Sequence, residues 1–172
     1  MKLVSCDKRH ASAILAILNE SILTSTALYD YKPRTPRMMD SWLAEKAKGN
    51  HPLIGMEDEA GVLLGFATYG PFRARPAYKY SIEHSVYVEK GFHGRGVGEA
   101  LMRELIARAK AQGYHMMIGG IDAENSGSIR FHKKLGFRHC ASIKQAGFKF
   151  GRWLDLEFYQ LILPTPANPV DG

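Results

Sequence analysis

Four glycines within eight residues, Gly91, Gly94, Gly96 and Gly98, constrain this chain more than any other feature. They separate two segments of different periodicity. Before them, residues 80–88 are rich in β-branched and aromatic side chains, and Ile82, Val86 and Val88 share one parity, which predicts a central strand. After them, Val97, Leu101, Leu105 and Ala109 recur at helical spacing until Gly113 stops the helix. A strand, a glycine-rich turn and a helix together form an anion site. Glycines let backbone N–H groups approach a ligand, and the new helix adds unpaired donors and a positive dipole end.

Two common phosphate motifs are excluded by spacing. A P-loop needs Lys-Ser/Thr after its last glycine, and Val97-Gly98 stands there instead. A dinucleotide fingerprint needs G-x-G-x-x-G, and Gly94, Gly96 and Gly98 have the wrong final interval.

The other elements follow from period and punctuation. Residues 2–6 read as a first strand. Asp7 can cap a helix whose apolar face is Ala11, Ile14, Leu15, Leu18 and Ile22. Residues 24–35 form a long loop carrying Tyr29 and Tyr31. Thr35-Pro36 starts a second helix, which ends at Gly49. Residues 52–56 and 62–69 bracket an acidic, glycine-ended turn, a hairpin signal. A strand at 115–121, a helix at 125–135 ended by Gly136, and strands at 138–146 and 152–163 complete the chain. Trp42 and Trp153 are expected as packing residues. The fold class is therefore α/β (α+β): a mixed, mainly antiparallel sheet of six to seven strands with helices on both faces. One domain is expected over residues 1–163, with 164–172 as a flexible tail.

Composition narrows the function classes. The 172 residues are 45% hydrophobic and 23% charged, which argues against disorder. No apolar run approaches the roughly 20 residues of a membrane span. The formal net charge of +6 suits a polyanionic ligand, but the basic residues are dispersed, so nucleic acid is not expected as a partner. Cys6 and Cys140 are the only cysteines, which fits a reducing cytoplasmic compartment. The seven histidines show no metal-ligand spacing, so no metal is expected.

With these residues in view, a resemblance becomes specific. Residues 86–88 (Val86, Tyr87, Val88) followed by His93, Gly94, Arg95, Gly96, Val97 and Gly98 resemble the [Q/R]-x-x-G-x-[G/A] motif of the GNAT acetyltransferases. His93 stands where Gln or Arg is usual. The segment from Asn125 and Ser128 to Gly136-Phe137 resembles the family's second signature. A narrower likeness, over about residues 1–163, is to the phosphinothricin and methionine sulfoximine (methionine sulfone) N-acetyltransferases. It is carried by residues 71–78, 81–88 and 148–155, and by the 26–29 stretch.

The resemblance implies a GNAT fold, acetyl-CoA as co-substrate and a homodimer. It implies that residues 86–88 and 93–98, with Glu99, Asn125, Ser128 and Lys134, bind acetyl-CoA. It implies Glu83 as general base, since amide formation needs a neutral amine. His132 occupies the place of the tyrosine that protonates the leaving thiolate in many relatives, and packing is the alternative reading of it. An oxyanion donor is expected from a backbone N–H around Val88. Tyr29, Arg73, Arg75 and Tyr78, with Glu83, are the candidate substrate-binding residues. Guanidinium forks suit a carboxylate and a second oxygen-rich group. The implied reaction is direct acetylation of the α-amine of a small amino-acid analogue. Rival readings are an acetyltransferase for a polyamine, aminoglycoside or protein N-terminus, and a non-catalytic acyl-CoA-binding module.

Overall fold

The computed structural model describes residues 1–171. Seven strands form a single sheet: β1 (Lys2–Ser5), β2 (Leu53–Glu57), β3 (Leu63–Pro71), β4 (Ser81–Val88), β5 (Met116–Asp122), β6 (Arg138–Lys149) and β7 (Arg152–Ile162). Their spatial order is β1-β2-β3-β4-β5-β7-β6. Only β4 and β5 pair in parallel; the other pairs are antiparallel. Four helices cover the faces: α1 (Ala11–Thr24), α2 (Pro36–Lys48), α3 (Val97–Ala111) and α4 (Ser126–Lys134).

The helices begin and end for local reasons. Thr35 caps α2 by accepting from the Met38 N–H, with Pro36 in the first turn. Asn125 caps α4 through the Ser128 N–H. Asp7 caps a short 3₁₀ turn, Lys8–His10, rather than α1 itself; α1 starts after it.

Two cores lie on opposite faces of the sheet. Under α3 are Leu64, Tyr69, Ile82, Leu101, Leu105 and Met117. Under α1 and α2 are Ile14, Leu18, Met39, Leu63 and Phe66. Strict alternation would put Leu64 and Phe66 on one face. The register shift between Met56 and Glu57 leaves Leu64 as the extra residue opposite β2, so the alternation resets there. β3 therefore serves both cores and is almost wholly buried.

β6 is the sheet edge. It pairs only with β7, carries two register shifts and is exposed along nearly its whole length. Trp153 departs from its expected packing role: it is 59% exposed and meets Phe148 edge-on at 5.1 Å. The tail expected to be free turns back onto the body. Thr165 Oγ1 donates to the Tyr114 carbonyl, and the Val170 N–H donates to Tyr80 Oη at 3.1 Å.

Leu101 is fully buried, so Leu101→Ala is expected to lower unfolding stability by about 2–5 kcal/mol in urea titrations. Thr35→Ala, which removes only a cap, is expected to cost about 1 kcal/mol by the same measurement.

Candidate active site

The site starts where two strands stop pairing. β4 and β5 are joined only through Ser81, Ile82 and Glu83 opposite Met116, Met117 and Ile118. Beyond Glu83 they diverge, although β4 continues to Val88 and β5 to Asp122. Each is held by its other neighbour, β3 for one and β7 for the other. The sheet therefore opens into a cleft between two of its central strands.

A cleft on the α3–α4 face, about 570 Å³, is lined by Val86, Val88, His93, Gly94, Gly96, Gly98, Glu99, Asn125, Ser128 and Lys134, with Phe131 among its apolar contacts. Gly94 and Gly96 have φ of +74° and +82°, the left-handed region that glycine accepts without strain. A Cβ on either would meet nothing within 4 Å, so the turn presents bare backbone to open space. The first-turn amides of α3 have no helical carbonyl to donate to and point the same way. At Gly98 a Cβ would already touch Phe131 and Val88 at 3.5 Å, so a longer side chain would fill the cleft. This cradle fits a diphosphate.

Not every residue expected in that cradle offers its side chain. Val97 is buried in the α3 core, and Arg95 stacks over the Phe92 ring at 5.2 Å; neither lines the cleft. Tyr87 points to the other face, against Phe66 at 5.4 Å, because strand side chains alternate. His93 Nε2 donates to the Val88 carbonyl at 2.8 Å, so its ring braces the turn against β4. Asn125 Oδ1 is engaged by the Ser128 N–H at 3.0 Å, which leaves its amide NH₂ for a ligand. Lys134 Nζ bridges to Glu99 at 2.5 Å across the cleft mouth.

A second cavity, about 230 Å³, joins the first. Val86, Asn125 and Ser128 line both. It runs through the opening in the sheet. His84, His132 and Ser128 bound it on the α4 side, and Glu83, Ser85, Tyr87 and Tyr29 on the α1–α2 side. Burial raises the pKa of the Glu83 carboxyl, and the positive charge of Arg73 opposes that rise. Of the expected substrate residues, Tyr29 and Glu83 line this cavity and Arg73 lies within electrostatic reach. Arg75 and Tyr78 do not line it. They belong to the rim segment between β3 and β4, where Tyr78 packs edge-on to Phe72 at 5.7 Å.

His132 is almost fully buried and stacks on His84, with ring centroids 5.0 Å apart. Its Nδ1 lies 2.7 Å from the Ser128 carbonyl, which can only accept, so Nδ1 carries the proton. Nε2 then holds a lone pair and has no partner. Burial lowers the pKa of the His132 imidazole and pushes that of His84 down to about 3. Both rings are therefore neutral at pH 7.

Sequence reasoning overlooked His84, which lines the cavity from β4. One signal was available: His84 has the parity of Ile82, Val86 and Val88, a histidine inside an otherwise apolar face. Its Nε2 lies 2.6 Å from where a Cβ on Gly119 would stand, so the ring occupies the space of the missing side chain. Asp122 was also overlooked. It is buried at the end of β5 and held by Thr26 and Arg152.

Among the described residues, no group of three or more His, Cys, Asp or Glu is arranged to hold a metal ion. Nor is any helix among them long and apolar enough to cross a membrane.

Comparison with known proteins gives consistent results. The profile of the acetyltransferase (GNAT) family matches residues 17–137. An L-methionine sulfoximine/L-methionine sulfone acetyltransferase of Pseudomonas aeruginosa is 41% identical over 157 residues, 91% of each chain. A solved structure from Acinetobacter baylyi, provisionally called an acetyltransferase, is 55% identical with a TM-score of 0.98, over 99% of this chain and 96% of that one. A GNAT phosphinothricin acetyltransferase from Sinorhizobium meliloti, solved in complex with acetyl-CoA, is 33% identical with a TM-score of 0.93. That match covers 98% of this chain and 91% of the other.

Gly98→Leu is expected to fill the cradle while leaving the helix intact. Calorimetric titration with coenzyme A should then show affinity lowered by about 10-fold or more, with an unchanged far-ultraviolet spectrum.

Proposed function

This chain belongs to the GNAT acetyltransferase family, and from that premise we propose that it transfers the acetyl group of acetyl-CoA to the α-amine of a small amino-acid analogue. Methionine sulfoximine, methionine sulfone and phosphinothricin are the substrates of choice, after the names of its relatives. One observation carries the reading. The diphosphate cradle and the cavity holding Glu83 are a single channel through the sheet, joined at Val86, Asn125 and Ser128.

In this reading the amides of residues 94–98 and the α3 dipole hold the diphosphate of acetyl-CoA, which supplies the activated acetyl group. Lys134, once released from Glu99, adds a positive charge at the cleft mouth. Arg73 faces the carboxylate of the amine substrate, where two pocket carboxylates would suit a polyamine instead. Glu83 removes a proton from the substrate ammonium, directly or through one water, and frees the nitrogen lone pair to attack. A raised carboxyl pKa makes Glu83 a stronger base than a solvated glutamate. Unpaired amides of β4 near Val88 receive the negative charge that develops on the carbonyl oxygen; one such donor is worth about 3 kcal/mol. As the C–N bond forms and the C–S bond breaks, the nitrogen sheds its second proton and the coenzyme A thiolate needs one. His132 in the acid role must take up that proton at Nε2 and pass it to the thiolate, because its only resting proton is committed to the Ser128 carbonyl. No covalent acyl-enzyme is needed: Cys6 and Cys140 are free thiols, and neither lines the channel.

The same proposal assigns one domain to residues 1–163, a cytoplasmic enzyme and a detoxifying role, since acetylation removes the ammonium charge of the analogue. It also assigns a homodimer formed through the exposed β6 edge. Phe148, Phe150 and Trp153 expose apolar surface there, 46%, 57% and 59% respectively. Trp153→Asp is expected to shift the sedimentation profile from dimer to monomer; an unchanged profile removes that interface from the proposal.

A thiol-release assay with acetyl-CoA and a panel of amino-acid analogues and polyamines tests the reaction. Turnover of the analogues is expected, and turnover of polyamines alone would refute the assignment. Glu83→Gln should lower kcat by about 100-fold or more while leaving coenzyme A affinity unchanged. Glu83 must be deprotonated to act, so kcat/KM should fall as pH drops through its raised pKa. Arg73→Met removes the charge that opposes the rise, so that acid limb should move to higher pH.

A further inference from the structure

One wall of the amine cavity is not built from the sheet. Thr26, Ala27, Leu28 and Tyr29 line it from the connection between α1 and α2. That segment has little regular structure of its own. Within it, the Ala27 N–H donates to Ser25 Oγ at 3.2 Å, and the Ser25 N–H closes the last turn of α1. Besides Asp122 of β5, which accepts from Thr26, its support comes from more than 100 residues away, at the β6–β7 hairpin.

We propose that Lys149 is a positioning residue for the amine substrate. From the end of β6 it clamps the 25–29 wall of the cavity in the shape that receives the amine. The Lys149 ammonium is nearly fully buried and donates to the Ser25 carbonyl at 2.9 Å and the Leu28 carbonyl at 2.5 Å. Among the described residues, no carboxylate lies within ion-pair distance of it. Burying a charge without a counter-ion is costly, and a Met or Leu would fill the same space without that cost. What the ammonium adds is a bridge between two carbonyls three residues apart, which fixes the turn between them.

Neighbouring hairpin residues hold the same wall. A Cβ at Gly147 would lie 2.8 Å from the Tyr29 ring, so the glycine lets Tyr29 lie flat on β6. Tyr31 Oη donates to the Phe148 carbonyl at 2.6 Å. Arg152 donates to Asp122, which accepts from Thr26. Lys149, Gly147 and Tyr31 support no part of the cofactor cradle, which α3, α4 and the glycine turn build; Asp122 alone reaches both, since its carbonyl accepts from the Asn125 N–H. Loss of the clamp therefore loosens one half of the site and spares the other.

The inference rests on the proposed amine site, and the experiment separates the two. In Lys149→Met the KM for the amine should rise about 10-fold or more, with the KM for acetyl-CoA unchanged within about twofold. Lys149→Arg, whose fork can also bridge two carbonyls, should recover most of the loss. Hydrogen exchange at the amides of residues 26–31 should quicken in Lys149→Met, with α3 and α4 unaffected. Gly147→Ala, which displaces Tyr29 and keeps the lysine, should reproduce the split in KM if the lysine variant fails to fold. Unchanged exchange at 26–31 overturns the clamp, as do two KM values that move together or an amine KM that does not move. If the unaltered protein acetylates none of the analogues, the proposed function falls, and the exchange result alone decides the clamp.

Discussion

The site depends on the early loss of hydrogen bonding between β4 and β5. Three residue pairs join them, and then each strand follows its other neighbour. In a closed sheet, the backbone groups of β4 beyond Glu83 would be spent on β5. Here they face a channel, where a bound ligand can use them and where leaving them dry would be costly. The parting also lets the two faces communicate, which no intact sheet allows. His84 and Gly119 stand at the fork. The imidazole fills the place of a side chain at residue 119, so any residue larger than glycine there would push it out.

Alternation along β4 divides the chemistry. Glu83 and His84 are adjacent in the chain and face opposite sides of the sheet. The carboxyl group looks toward Arg73 and the smaller cavity, where burial raises its pKa. The imidazole looks toward His132 and Phe137, where burial keeps it uncharged. A protonated pair of stacked rings would place two like charges 5.0 Å apart in a low-dielectric core. That packing therefore excludes protonation of both rings at once. The channel is lined by a carboxyl group on one side and by two stacked imidazoles on the other.

Much of this was legible in the chain because it depends on local rules. The glycine turn, the α3 face of Val97, Leu101, Leu105 and Ala109, and the parity of β4 follow from period and backbone freedom, and the structure contains all three. Glu83 was singled out by the family resemblance, because parity alone does not separate a pocket carboxylate from an exposed one; the structure places it in the wall of the smaller cavity. Residues whose roles depend on distant partners were not legible. Arg75 and Tyr78 share a segment with Arg73, yet where each points depends on how the rim folds over the sheet. Tyr87 and Val97 lie in the right motif but turn their side chains away from the cleft. Trp153 looked like core because tryptophan usually is, but β7 carries it on the outer side of the edge hairpin. No local pattern could bring Lys149 to Ser25 and Leu28, because the contact exists only after β6 has taken its place at the sheet edge.

The two halves of the channel are also supported differently. The cradle is anchored by α3: its amides come from the glycine turn and the first turn of that helix, whose apolar face is buried in the core. The amine wall is a loop braced from the edge of the sheet, by contacts that touch neither Glu83 nor the glycines. Gly147 and Lys149 touch the 25–29 wall, while Gly96 and Gly98 line only the larger cleft. On the proposed reading, binding shape and bond-making rest on separate parts of the sheet, so the β6–β7 hairpin is where amine selection can be retuned at small cost in catalysis.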